Sequence, residues 1–135
     1  MNPKVWLLAG IVLGMLAVIL GAFGAHGLER AVTTWDLPVE EQQKRLHNWD
    51  VGVRYQMYHA LALVALGVWA TLRPAPGVSV AGTLFVVGVV IFSGFLYLYV
   101  FSGLRWLGMI VPIGGVAMIF GWLAFAIAVL RGTGT

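Results

Sequence analysis

No cysteine occurs in the chain, so disulfides, thiolate metal sites and a cysteine nucleophile are excluded. Charge is scarce as well. Only 10% of residues are Asp, Glu, Lys or Arg, against 61% hydrophobic, a balance that cannot give a soluble domain an ordinary polar surface. The solvent this composition implies is a lipid bilayer. All five acidic residues lie between Glu29 and Asp50, so the apolar runs contain no paired carboxylates for acid–base chemistry. The eight Lys and Arg residues are scattered, and a net charge of +3 without a basic cluster excludes a nucleic-acid groove. A glycine-rich phosphate loop, an HExxH helix and a GxSxG elbow are also missing, which leaves hydrolytic and nucleotide-driven enzymes without support. A length of 135 residues leaves room for one membrane domain, residues 1–135.

What the chain does contain is long uncharged runs. Residues 5–28 would cover roughly 36 Å as a helix, enough to span a bilayer with tilt, and exceed a signal-peptide core. Further spans are expected at residues 55–72, 78–104 and 106–130, the last closed by Arg131 and a Gly/Thr tail. The turn Arg73-Pro74-Ala75-Pro76-Gly77 and the short break before Arg105 make spans two, three and four successive antiparallel neighbours. The charged insertion between spans one and two predicts an amphipathic helix over about 38–53. Asp36 would cap its start, Leu46, Trp49 and Val53 form its apolar stripe, and Glu40/Lys44, Glu41/Arg45 and Asp50/Arg54 are i,i+4 pairs. This helix is expected on the membrane interface, running into span two. The fold class is therefore all-α: an integral membrane four-helix bundle with an interfacial helix.

In span one, Gly10, Gly14, Ala17, Gly21 and Gly24 fall along one face, a small-residue ridge that lets another backbone approach. Gly114 and Gly115, beside the helix-interrupting Pro112, are the corresponding packing candidates in span four. Two polar signatures stand out against this background: Gly21-Ala22-Phe23-Gly24-Ala25-His26-Gly27-Leu28 and Arg54-Tyr55-Gln56-Met57-Tyr58-His59-Ala60-Leu61. Polar and ionisable side chains are costly near hydrocarbon, so their occurrence marks a candidate site. With span two starting at Arg54, helical rise puts His26 and His59 each within about 8 Å of the same membrane end, and antiparallel packing would let them meet. Arg54, Tyr55, Gln56 and His59 would complete that surface. Two imidazoles could ligate a haem iron or, with Glu29 or Asp50, a divalent metal. The alternative is a neutral histidine that donates to a backbone carbonyl or to Gln56 and fixes helix register. No residue set defines a metal site outright, and no second group accompanies His26 or His59 to make a catalytic pair. His47 reads as solvated surface.

The blocks Leu20-Gly21-Ala22-Phe23-Gly24-Ala25-His26-Gly27-Leu28, Tyr55-Gln56-Met57-Tyr58-His59, Phe92-Ser93-Gly94-Phe95-Leu96-Tyr97, Pro112-Ile113-Gly114-Gly115 and Gly121-Trp122 resemble, in order, the domain of unknown function 423 family, of which the transmembrane protein 256 group looks like a branch. The resemblance covers nearly the whole chain. It implies a small four-span protein of the bacterial inner membrane, with cytoplasmic termini and no settled activity. The sparse tail and the long charged first connection depart from the family's pattern of basic termini and short inner turns. The function expected is that of a structural or accessory interaction module, not an enzyme, embedded in the lipid bilayer with a membrane-protein partner or a second copy. The alternative is a ligand-handling protein for quinone, lipid, metal, haem or a small solute, with the cofactor unspecified.

Overall fold

Two glycines divide the second half of the chain. Gly77 (φ 96°) precedes one helix and Gly103 (φ 68°) ends it; both occupy the left-handed region that a side chain disfavours. The computed structural model describes residues 2–132. It consists of helix α1 (Lys4–Phe23), a π-helical turn (Gly24–Leu28), a short α2 (Glu29–Val32) continuing the same rod, then α3 (Val39–Leu72), α4 (Val78–Ser102) and α5 (Arg105–Gly132). There is no strand among the described residues, and the Gly/Thr tail after Gly132 lies outside them.

The rod Lys4–Val32, α4 and α5 are each long and apolar enough to cross a membrane. Helix α3 is the longest but the least apolar, because it includes Arg45, Asp50, Arg54, Gln56 and His59. It joins the helix expected at 38–53 and the span expected at 55–72 in one continuous rod of about 51 Å. No break occurs at Arg54 because the charges are managed within the helix. Arg54 pairs with Asp50 at 2.7 Å and Arg45 with Glu41 at 3.2 Å, while the buried stripe runs through Trp49, Gly52, Gln56, His59, Leu63, Leu66 and Ala70. Lys44 does not pair with Glu40 as expected but lies 5.9 Å from the Tyr99 ring centroid. Nor does Asp36 cap the helix: Pro38 occupies the N-cap with extended backbone, and no side chain bonds there.

Helix register is set where backbones touch. A Cβ on Gly10 would lie 2.6 Å from the Ala60 carbonyl oxygen, and one on Gly67 would lie 2.7 Å from the Leu7 nitrogen, so α1 and α3 are in backbone contact at these points. A Cβ on Gly114 would strike the Phe92 backbone and approach the Gly88 oxygen at 2.8 Å, which fixes α5 against α4. The expected ridge is therefore corrected in its details. A Cβ on Gly14, Gly21 or Gly115 would meet its nearest neighbour at 3.8, 3.4 or 3.7 Å, an ordinary side-chain contact, whereas Gly24 makes room for the Trp49 ring.

Two apolar clusters result. One, towards the chain termini, gathers Trp6, Leu63, Leu66, Ala81, Phe85 and Ala128; the other, at the far end, gathers Leu28, Val32, Trp49 and Val100. Around them the outer faces remain apolar, with Leu8, Val18, Met109 and Ile119 each at least 60% exposed, as expected where the surroundings are acyl chains.

The glycine contacts are testable one residue at a time. Gly10→Ala and Gly67→Ala should each lower the stability of detergent-solubilised protein by about 1–3 kcal/mol through overpacking. Gly14→Ala should be neutral or slightly stabilising, since alanine is the better helix former. Thermal unfolding measures all three, and a loss at Gly14 matching that at Gly10 would reject this assignment of the contacts.

Candidate functional site

Between the two apolar clusters lie Gln56, His59 and Ser93, the buried polar side chains among the described residues. No water reaches this depth in a bilayer, so each must find its partners within the protein. The Gln56 amide donates to the Leu13 carbonyl of α1 at 2.9 Å, and its oxygen accepts the Tyr97 hydroxyl of α4 at 2.8 Å. One side chain on α3 thus ties three helices. Ser93 on α4 donates to the Gly52 carbonyl on α3 at 2.7 Å, and the missing Cβ of Gly52 leaves room for the Tyr97 ring. Seven residues before Gln56 on α3, the Trp49 indole donates to the Leu20 carbonyl at 2.8 Å, seven residues after Leu13 on α1. Matching seven-residue steps on antiparallel helices repeat the same clasp two turns apart.

His59 is committed at both ring nitrogens. Nδ1 lies 2.7 Å from the Tyr55 carbonyl, which can only accept, and Nε2 lies 3.2 Å from the Trp122 indole N–H, which can only donate. The ring is therefore the neutral Nδ1–H tautomer, tethering α3 to α5. Haem or metal ligation through Nε2 would require displacing Trp122. Among the described residues, the buried side-chain heteroatom without a partner is Trp6 Nε1, one helix end away from this layer.

The structure separates the two histidines that sequence reasoning placed together. Gly14 of α1 lies beside Ala60 and Gly24 beside Trp49, so His59 is level with the middle of α1, and His26 stands about 18 Å further along the axis. The expectation failed because it started span two at Arg54, whereas α3 lies alongside α1 well before that residue. His26 is exposed on the π turn, where it shares a shallow groove with Ala25, Glu29, Arg30 and Thr33. A neighbouring groove of about 240 Å³, lined by Gly21, Gly24, Glu29, Trp49, Asp50 and Val53 among others, runs between the π turn and α3. Arg54 faces outward in its pair with Asp50, and Tyr55 joins the layer through its carbonyl and through its ring, 4.8 Å from that of Phe92. His47 is exposed. No group of three or more potential metal ligands occurs among the described residues.

Trp49, Ser93, Tyr97 and Trp122 were missed as site residues. Ser93 and Tyr97 stand at i,i+4 on one helix face and could have signalled a polar stripe in α4. Trp122 carried no such signal, because an indole looks the same in sequence whether it faces lipid or a histidine.

Deleting the Gln56–Tyr97 bond checks the clasp. Gln56→Leu and Tyr97→Phe should each destabilise the solubilised protein, and the double variant should lose less than their sum, by about 0.6–2 kcal/mol. His26→Ala and His59→Ala should instead be additive, as expected for groups beyond about 10 Å. Additivity in the first pair, or coupling in the second, measured by thermal or denaturant unfolding, contradicts the arrangement.

The family described as "Protein of unknown function (DUF423)" matches residues 20–115. The chain is 40% identical to the UPF0382 membrane protein YwdK of Bacillus subtilis, over 95% of this chain and 98% of that one. It is also 40% identical to the UPF0382 membrane protein SERP0230 of Staphylococcus epidermidis, over 97% and 99%, and 39% identical to the UPF0382 membrane protein SAB0533 of Staphylococcus aureus, over 97% and 99%. No solved structure matches. With three apolar helices long enough to cross a bilayer and relatives named as membrane proteins over almost its full length, the chain belongs to the DUF423 family of membrane proteins.

Proposed function

We propose that this protein is a four-span accessory module of the bacterial inner membrane, whose polar layer is a clasp that locks helix register rather than a site of chemistry. The observation that carries this reading is the commitment of both ring nitrogens of His59 and of the Gln56 carbonyl and amide groups to partners within the protein: Leu13 on α1, Tyr97 on α4, Trp122 on α5 and, one turn back on α3 itself, the Tyr55 carbonyl. A bundle locked in this way offers its exposed apolar faces to lipid or to a neighbouring protein, or a second copy, without rearrangement.

In this reading α3 is the second span although it is less apolar than the others. Its polar side chains Gln56 and His59 face inward, and its register against α1 and α4 gives it the same depth as both. The four spans put both termini and Arg73 on one side and residues 33–38 on the other. We place the termini in the cytoplasm. Lys4, Arg73 and Arg131 belong to that side and Arg30, Lys44, Arg45, Arg54 and Arg105 to the opposite one. A raw count opposes this orientation. The placement rests instead on the resemblance to a family whose basic termini and short inner turns imply cytoplasmic termini.

Reporter fusions after Arg73 and after Gly132 should both read cytoplasmic, and one inserted at Trp35 should read external. A Trp35 reporter on the same side as Gly132 would overturn the four-span reading; the reverse assignment of all three would overturn only the orientation. For the function, isolation from native membranes with mass spectrometry of everything retained should yield a membrane-protein partner or a homo-oligomer at fixed stoichiometry. Retention of a stoichiometric quinone, haem or metal lost on His59→Ala would instead establish ligand handling.

A further inference from the structure

A groove of about 410 Å³ opens between α3, α4 and α5 at the end of the bundle opposite the termini, a volume within the usual range of small-molecule sites, roughly 300–1,000 Å³. Its walls differ in character with depth. Leu96, Val111 and Pro112 make an apolar floor, while Lys44, Asn48 and Arg105 stand along its polar edge, with Tyr99 beside Lys44. The two cations come from different helices, both are exposed, and neither forms an ion pair among the described residues. No acid lines the groove: Glu41 holds Arg45, Asp50 holds Arg54 and lines the groove beside the π turn instead, and Glu40, one turn before Lys44, lies outside the lining. The edge of the groove is therefore net positive.

Two features of α5 shape the groove. Gly108 lines it, and a Cβ there would meet nothing within 4 Å, so the space beside it is open. Pro112, four residues later in the helix, supplies no N–H to the Gly108 carbonyl. That carbonyl therefore lacks its helical hydrogen bond, in a groove lined by two cations and an amide. A phosphodiester without hydroxyl groups would satisfy Lys44 and Arg105 but not an acceptor. A phosphodiester that also bears hydroxyl groups satisfies all of them.

We propose that this groove is a binding site for an anionic phospholipid of the phosphatidylglycerol class. Its phosphate lies between Lys44 and Arg105, its glycerol hydroxyls donate to the Gly108 carbonyl and bond Asn48, and the start of an acyl chain runs over Leu96, Val111 and Pro112. Charge complementarity selects the anionic head, the apolar floor selects a lipid over a soluble ion, and the exposed Trp106 next to Arg105 suits the headgroup level where this edge would lie. The inference requires the membrane setting alone and is independent of the accessory role.

The test is native mass spectrometry of the full-length protein in detergent, titrated with dioleoyl phosphatidylglycerol and, separately, with dioleoyl phosphatidylcholine. Phosphatidylglycerol should bind more tightly. Lys44→Gln and Arg105→Gln should each weaken it roughly fivefold, and the double variant should abolish the preference, in keeping with the contribution of one basic side chain near an anionic headgroup. Arg73→Gln, at the other end of the bundle, should leave it intact. Gly108→Leu fills the groove from a position with free space around it, so it should preserve the unfolding temperature while reducing binding of both lipids at this site. Equal affinity for the two lipids, an unchanged preference in the double variant, full competition by inorganic phosphate alone, or occupation of the groove by a second copy of the chain would each overturn the proposal.

Discussion

The requirement that a polar group in hydrocarbon find its partner inside the protein governs this bundle, and Gln56 is where it acts most strongly. Its amide donates to α1 and its oxygen accepts from α4, so three helices share one side chain's hydrogen-bonding capacity. Sliding α3 by one residue against either neighbour would turn Gln56 from its partners and strand Tyr97. Hydrophobic contacts impose no such rule, because an aliphatic side chain in lipid is nearly indifferent to whether it touches a helix or an acyl chain.

The clasp works only because backbones approach closely on either side of it. Gly10 and Gly67 bring α1 against α3 on the terminal side of the polar layer, Gly52 admits the Tyr97 ring within it, and Gly24 accommodates Trp49 beyond it. The π turn at Gly24–Leu28 coincides with this last contact. Such single-turn π segments are rare and occur mostly inside longer helices, as this one does. Further along the bundle His59 and Trp122 carry the same principle to α5. The result is a layer in which chemistry-bearing residues are consumed by architecture.

Charged side chains gather at the end of the bundle opposite the termini. There the long α3 extends alongside the ends of α1 and α4 and carries its charged groups. Arg45 illustrates how closely they are integrated: it pairs with Glu41 and donates to the Val100 carbonyl at 2.9 Å, at the C-terminal end of α4 where carbonyls lack helical partners. Lys44, Arg105, Glu29 and His26 are not used in this way, and they line grooves at this end.

Composition and pattern alone determined that the chain is helical and membrane-embedded, and where its turns lie. Apolar run lengths, the Pro74–Gly77 punctuation and the break before Arg105 are local properties of the chain. They also marked Gln56 and His59 as out of place in hydrocarbon. Pairing was decided only in three dimensions. Whether Gly10 or Gly14 bears the close contact depends on which face α3 presents, and the distance from His26 to His59 depends on how far α3 slides along α1. Charge does not mark the start of a span in α3. Ion pairs within α3 carry its charges past that point while its buried stripe continues. Sequence spacing records positions along one helix; the offset between two helices is a balance of contacts contributed by both, and it becomes visible only when they are packed.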